Sequence, residues 1–480
     1  MQTETIRGEK AALAGLVLFA LAWRLLFFTG LQGTDDETYI ADAVRLLKGG
    51  YSFDYVFSFR LAEIAPLAAF MKLFGISDTV AGMYNLLLSL GNVALAFLIA
   101  RHYVPFRGAL TAGFLTATLP VNVMLATMAY SDVPQVTFCA LSYYLFLRGR
   151  SPWMLLASGA CVGASYLSRE SAVFYLLFLG VLFLIHKEDR KRLLWVAAGF
   201  AAVFLGECAF FGIRTGDPLF RHTVSSGIQR AAADRFLPTQ EAVVRQMVWD
   251  NGSLLLNPLD PQVVHFGLFY FLFAVSVLAL LKARRVGALK VLLLWWVIVA
   301  LATNFFPVRL SPFLPALFAQ ARYFDCITIP AAIVTAAFLE GLGPRARGAL
   351  LAAAFGVAVL CQVELKTWSD GQTAGVRGAY EVLKREPAPV VVYTDSGTLK
   401  ILKILDGYAG RIEPRLLGRD LPSGERAFYL VGGIQSTKLP DPGAFARRVP
   451  PDAREVYAHV PREIRRNRFA RFIVSPGMVF

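Results

Sequence analysis

The sequence predicts an α-helical polytopic membrane protein of about eleven transmembrane helices. Amphipathic surface helices are expected in its first outer loop, and a small α/β extracytoplasmic domain at its C-terminal end. Three observations carry this reading. Of 480 residues, 56% are apolar and only 17% charged, against ~45–50% and ~25% in soluble domains. The apolar residues come in blocks long enough to cross a bilayer, which needs ~17–25 helical residues. Lysine and arginine cluster in alternate short loops, which gives the spans a direction. Disorder, a collagen-like fibre, a disulfide scaffold and a large soluble enzyme are excluded by the same numbers.

The apolar blocks run near 11–31, 79–100, 108–129, 133–147, 153–168, 171–186, 193–213, 264–281, 289–306, 322–341 and 348–364. The first is long and followed by further spans, so it reads as a retained helix rather than a cleaved signal. With the N-terminus inside, the inner loops hold sixteen basic residues, from Arg7 and Lys10 to Arg345 and Arg347. That sidedness fits a bacterial plasma membrane protein with a cytoplasmic N-terminus. The outer loops then include two long ones, 32–78 and 214–263, within a transmembrane domain of residues 1–365. Residues 366–480 form the second domain, where "PVVVYTDSGTLKILKIL" reads as strand, turn and helix, with Thr394 or Asp395 as N-cap.

The formal charge of +14 would suggest a nucleic-acid partner, but its distribution excludes one. Part of it directs topology. Residues 376–480 carry 18 basic against 11 acidic residues, and that surface is expected against anionic headgroups or a phosphorylated acceptor. Cys139, Cys161, Cys208, Cys326 and Cys361 all fall in predicted spans without metal-ligand spacing, so they read as small buried apolar residues.

The first outer loop opens with "GTDDETYIADAVRLLKGG". Thr34 and Glu37 have the spacing of a capping box, acids fill the first turn, and Gly49-Gly50 stops the helix. Tyr39, Ala43, Leu46 and Leu47 make one apolar face, as in a helix lying on the membrane surface. Capping alone would therefore account for Asp35, Asp36 and Glu37, and N-capping for Asp132 ahead of Pro134. The alternative is chemical: with Glu63, these acids share the outer face and could form one acidic cleft. A carboxylate there could serve as general base or hold a divalent cation, the one cofactor the acids admit, with its identity open. Arg169, Arg322 and Arg24 either snorkel to headgroups or recognise a lipid phosphate, for which guanidinium geometry is suited. Asp325 could pair with Arg322, and Glu207 has no partner in view. Tyr39 and Tyr323 sit beside these charges.

Taken in order, "DDETYIADAVRLLKGG", "APLAAFMKLFG", "YSDVP", "SYLSRES" and "RYFDCITIP" resemble the membrane glycosyltransferases of the C superfamily over roughly residues 1–340. The branch is that of the bacterial relatives of protein O-mannosyltransferases and the lipid A aminoarabinose transferase. The resemblance implies inverting transfer of a sugar from a polyprenyl-phosphate donor to an acceptor hydroxyl at the outer face. The acceptor would be a lipid, a polysaccharide or a protein, with membrane lipids as further partners. It matches Asp36 to the family's catalytic acid, Glu37 to its companion and Asp132 to the second acidic position. Arg169 stands where the family has a basic residue facing the phosphate. Glu63 resembles a glutamate that precedes a Lys-Pro-Pro string, but here Ile64-Ala65-Pro66 follows and the lysine is missing. No His ligand carries over, His222 and His265 being merely available at the fourth outer loop, and the resemblance does not extend to the C-terminal domain. A transporter or flippase of lipid-linked or anionic solutes is the competing class, and a non-catalytic membrane subunit the third.

Overall fold

The computed structural model describes residues 2–236, 239–247, 264–311, 313–315, 317, 320–416 and 427–430. Residues 248–263 of the expected fourth outer loop, and 431–480 of the expected C-terminal domain, lie outside the described residues. Every one of the eleven apolar blocks is helical. In chain order the helices are α1 (Gln2–Leu26), α2 (Asp35–Leu47), α3 (Leu61–Phe74), α4 (Asp78–Ala100), α5 (Phe106–Thr118), α6 (Pro120–Leu125), α7 (Asp132–Arg148) and α8 (Pro152–Ser168). Then come α9 (Val173–Ile185), α10 (Arg190–Thr215), α11 (Phe220–Phe236), α12 (Gln240–Arg245), α13 (Phe269–Lys282), α14 (Lys290–Phe305), α15 (Thr328–Glu340), α16 (Pro344–Leu383) and α17 (Ser396–Leu405). Short strands β1 (Pro307–Leu310) and β2 (Phe313–Pro315) pair antiparallel. Strands β3 (Val390–Thr394), β4 (Ile412–Leu416) and β5 (Ala427–Tyr429) form a parallel sheet with β3 in the middle.

Among the described residues, five helices are long and apolar enough to cross a membrane, and two shorter apolar ones accompany them. The eleven blocks are thus not eleven uniform spans. The block at 108–129 breaks into α5 and α6 because Leu119, held extended ahead of Pro120, cannot continue a helix. Elsewhere local chemistry sets the ends. Ser77 accepts the amide of Val80 at 3.2 Å to start α4, and Ser151 caps α8 ahead of Pro152.

The bundle packs tightly through small residues. A Cβ on Gly159 of α8 would lie 1.9 Å from the carbonyl oxygen of Val196 in α10. These two backbones therefore touch, as small residues allow between membrane helices. One apolar core fills the bundle, with Tyr143, Phe178 and Trp295 among its largest members.

A second core changes the expected architecture. Tyr39 and Ile40 of α2 and Ile64 and Leu67 of α3 are buried together with Val376 of α16, Val392 of β3 and Ile401 of α17. Tyr39 and Ala43 of the expected apolar face of α2 are thus buried as the floor on which the C-terminal residues pack, while Leu47 stays exposed. Helix α16 runs unbroken through 366 for 40 residues, so the polar C-terminal part continues the last apolar helix without a linker. Residues 390–405 fold as strand, turn and helix, and Asp395 is the N-cap, accepting the amides of Gly397 and Thr398 at 2.9 Å each.

Candidate active site

The charged residues gather at the end of the bundle that carries α2 and α3. Asp132 is the first residue of α7, and its side chain does not cap that helix. Ser131, the N-cap, makes no capping bond either. Both spend their side chains on distant partners instead. Asp132 forms a buried ion pair with Arg169, and Ser131 meets the Tyr39 hydroxyl at 2.9 Å. Arg169 is the extended residue that closes α8, and this conformation lays its guanidinium 4.3 Å from the centre of the Tyr323 ring. Arg322 comes from the short turn before α15. Its Nη2 lies 2.8 Å from Asp35 Oδ2, with the rings of Tyr130 and Tyr323 at 5.0 and 5.3 Å. Two arginines therefore converge on one tyrosine, each balanced by one carboxylate.

A second layer supports them. Arg60 contacts Tyr39, Ser131 at 3.2 Å and Glu170 at 3.3 Å. Arg221 of α11 bridges Glu170 at 3.0 Å and Glu207 at 2.9 Å, so the apolar-span glutamate has a partner after all. His222 bonds to the Tyr166 hydroxyl at 2.8 Å, on the Arg221 side of the cluster. Four guanidiniums and four carboxylates thus compensate one another in a largely water-free setting, where an unpaired charge would cost several kcal/mol.

The acidic loop differs from expectation. Thr34 makes no capping bond to α2, and the Glu37 carboxylate reaches Lys400 of α17 at 3.1 Å instead of closing a capping box. Asp36, the expected catalytic acid, is fully buried. Its Oδ2 accepts the amides of Gln32 at 2.6 Å and Gly33 at 3.4 Å, and its Oδ1 that of Thr34 at 2.7 Å. Asp36 thus ties the preceding turn, while Asp35 faces the guanidiniums. Burial pushes Asp36 up from the ordinary carboxyl range even against those amides. At Asp35 burial acts in the same direction, but Arg322, with Arg60 and Arg169 behind it, overcomes it and holds the carboxyl low.

Glu63 is also fully buried. Burial and the neighbouring Asp132 push its carboxyl well above the usual range. Asn85 donates to Glu63 Oε1 at 3.4 Å, whereas Glu63 Oε2, Asp132 Oδ2 and Asn85 Oδ1 are buried without a hydrogen-bond partner. Oxygen donors of this kind are the ligand type that a hard divalent cation takes. They offer none of the nitrogen or sulfur that zinc favours. Among the described residues the compact ligand group His186, Glu188 and Asp189 lies in the predicted inner loop between α9 and α10.

Arg24 does not join the cluster. Its guanidinium is enclosed in the bundle, bonded to Ser89 at 2.6 Å and to the carbonyls of Ala20 and Ala117 at 3.2 Å each. It neither snorkels nor meets Arg169 or Arg322. Asp325 does not take Arg322; it accepts from Thr328 at 3.4 Å. The site also contains Asp35, Arg60, Glu170 and Arg221, which sequence reasoning had passed over or read as caps. The one available signal was Glu207, because a carboxylate in an apolar span implies a buried cation nearby.

Comparison with known proteins adds a frame for this site. Residues 66–211 match the family described as dolichyl-phosphate-mannose-protein mannosyltransferase, a stretch that includes Asp132 and Arg169. ArnT from Cupriavidus metallidurans is similar in structure, with a TM-score of 0.59 at 15% identity over 85% of this chain and 86% of that one. The chain shares the fold of that solved membrane protein. The same ArnT bound to undecaprenyl phosphate matches with a TM-score of 0.56 at 16% identity, over the same shares of the two chains. An oligosaccharyltransferase from Archaeoglobus fulgidus is similar in fold, with a TM-score of 0.54 at 14% identity over 85% of this chain. The chain spans 64% of that protein's length. No curated protein sequence matches the chain.

Proposed function

We propose that this chain is an inverting glycosyltransferase. It would move a sugar from a polyprenyl-phosphate donor to an acceptor hydroxyl at the outer face of a bacterial plasma membrane. The supporting observation is the convergence of Arg169 and Arg322 on Tyr323, each held by its own carboxylate. The undecaprenyl phosphate bound by the structurally similar ArnT suits that pair, since guanidiniums bind phosphate oxygens through two parallel bonds.

On this reading the donor phosphate takes over the guanidiniums and releases Asp132 and Asp35 from their ion pairs. Loss of the Arg322 contact raises the basicity of Asp35. The acceptor oxygen attacks the anomeric carbon while its proton passes to Asp35. The bond from that carbon to phosphate breaks, and the electron pair leaves with polyprenyl phosphate, whose charge Arg169 and Arg322 stabilise. Asp132 faces the oxocarbenium-like charge on the sugar. Asp36 holds the loop. Glu63, Asp132 and Asn85 are the residues that would hold a divalent cation, which would supply further positive charge to the site.

The experiment is direct. Purified protein in detergent is given a radiolabelled polyprenyl-phosphate sugar with candidate lipid, glycan and peptide acceptors, and transfer is followed by chromatography. Transfer by the wild type, lost in Asp35→Asn, is expected. Passage of the intact donor across vesicles without consumption would instead identify a flippase.

A further inference from the structure

The loop that carries Asp35 and Asp36 is gripped by the C-terminal part of the chain. The Leu31 carbonyl accepts from Thr373 at 3.3 Å and from Arg377 at 3.4 Å, both on the second half of α16. Arg377 also pairs with Asp78, at the start of α4, at 2.8 Å. Gln32 donates to Ser369 at 3.4 Å. Gly33 adopts φ +82° directly beneath Ile401 of α17, where a Cβ would come within 2.7 Å of Ile401 Cδ1. Such a φ favours glycine, and so does the lack of room. Glu37 closes the grip through Lys400.

The loop therefore has two sides. On the inner side the Asp36 carboxylate gathers the amides of Gln32, Gly33 and Thr34. On the outer side are α16 and α17, whose contacts fall at Leu31, Gln32, Gly33 and Glu37, bracketing Asp35. The buried Val376, Ile401 and Leu402 share one core with Leu31, Tyr39 and Ile40, so the grip is backed by apolar packing.

We propose that the C-terminal unit is a positioning device for this loop: Lys400 and Arg377 hold residues 31–37 in the arrangement that turns Asp35 toward Arg322. The inference rests on the reading of Asp35 given above for its catalytic consequence, though not for the grip itself. Lys400 and Arg377 are positioning residues: Lys400 pairs with Glu37, and Arg377 reaches Leu31, Asp78 and the loop-gripping Thr373, to which its Nε donates at 3.0 Å. Disturbing them would misplace the carboxylate while leaving Arg169 and Arg322 to bind the donor phosphate. A docking surface for the acceptor, the other role open to this unit, would act on acceptor affinity instead.

The test uses full-length Lys400→Met, Arg377→Met and Lys400→Arg in detergent, each checked for an unchanged elution profile. Hydrogen–deuterium exchange of a peptide spanning 31–37 is expected to rise about tenfold or more in both methionine variants and to return toward wild type in Lys400→Arg. In turnover, kcat should fall about 10- to 100-fold in the methionine variants, with donor and acceptor KM held within about twofold. Unchanged exchange in both variants would overturn the grip. Raised exchange with unchanged kcat, or a raised acceptor KM at intact kcat, would overturn the positioning role. If the wild type transfers no sugar at all, the catalytic reading fails, while the exchange measurement still decides whether the unit holds the loop.

Discussion

Arg322 Nη2 lies 2.8 Å from Asp35 Oδ2, so the first carboxylate of α2 meets a guanidinium from the turn before α15. Asp36, the next residue, points away and is spent on main-chain amides. Substitutions should separate the two. Asp35→Asn should fold normally and lose about 10²- to 10⁴-fold in transfer, the usual contribution of a general base. Asp36→Asn replaces an acceptor-only group with one that carries donors facing N–H groups. It should lower unfolding stability by about 2–3 kcal/mol, read as a lower thermal midpoint. A stable but inactive Asp36→Asn beside a fully active Asp35→Asn would move the base to Asp36.

The two ion pairs should respond differently to loss of their arginines. Asp132 and Arg169 are almost wholly enclosed, with side-chain exposures of 3% and 5%, so Arg169→Ala strands a buried carboxylate. A destabilisation of about 3–5 kcal/mol is expected, visible in a denaturant or thermal melt. The Arg322 pair is partly open, at 19% and 23% exposure, so Arg322→Ala should cost less stability. Its main effect should be a donor KM raised about tenfold or more, from the lost phosphate contact.

Glu63 predicts a pH effect whose sign follows from its raised carboxyl. Above the ordinary carboxyl value of ~4.3, the unfolded chain gives up a proton that the folded chain keeps. Stability then falls as pH rises, by about 1.4 kcal/mol per pH unit, until the folded value is passed. Glu63→Gln removes this titration while keeping the shape. In the presence of a chelator it should melt like wild type near pH 4 and above it at pH 7. Equal melting temperatures at both values would show that Glu63 is not held protonated.

Arg24 is walled in by Ser89, Ala20 and Ala117. Arg24→Met should leave the donor KM within about twofold of wild type, measured at saturating acceptor. A KM raised tenfold would mean that the donor reaches into the bundle interior.

Much of the bundle was legible before any coordinates. Each apolar block from 11–31 to 348–364 became helix because burying a peptide group in lipid demands internal hydrogen bonds, a local requirement. The strand, turn and helix of 390–405 and the cap at Asp395 were readable for the same reason. Asp132 and Arg169 could be named as candidates because charges are rare in apolar segments.

Partners were another matter. Choosing between Asp35 and Asp36 depends on how the Gln32–Thr34 turn presents its amides and on an arginine near residue 322. Neither is encoded by the spacing of an Asp-Asp-Glu string. The expected capping box at Thr34 and Glu37 failed because Asp36 takes the Thr34 amide and Glu37 turns to Lys400, and the buried face of α2 is covered because α16 and α17 return to it. Arg24 looked like a snorkelling residue until the bundle closed around it. Apolar length and local capping thus account for which segments are helices. Charge pairing acts between segments hundreds of residues apart, and only the folded molecule decides it.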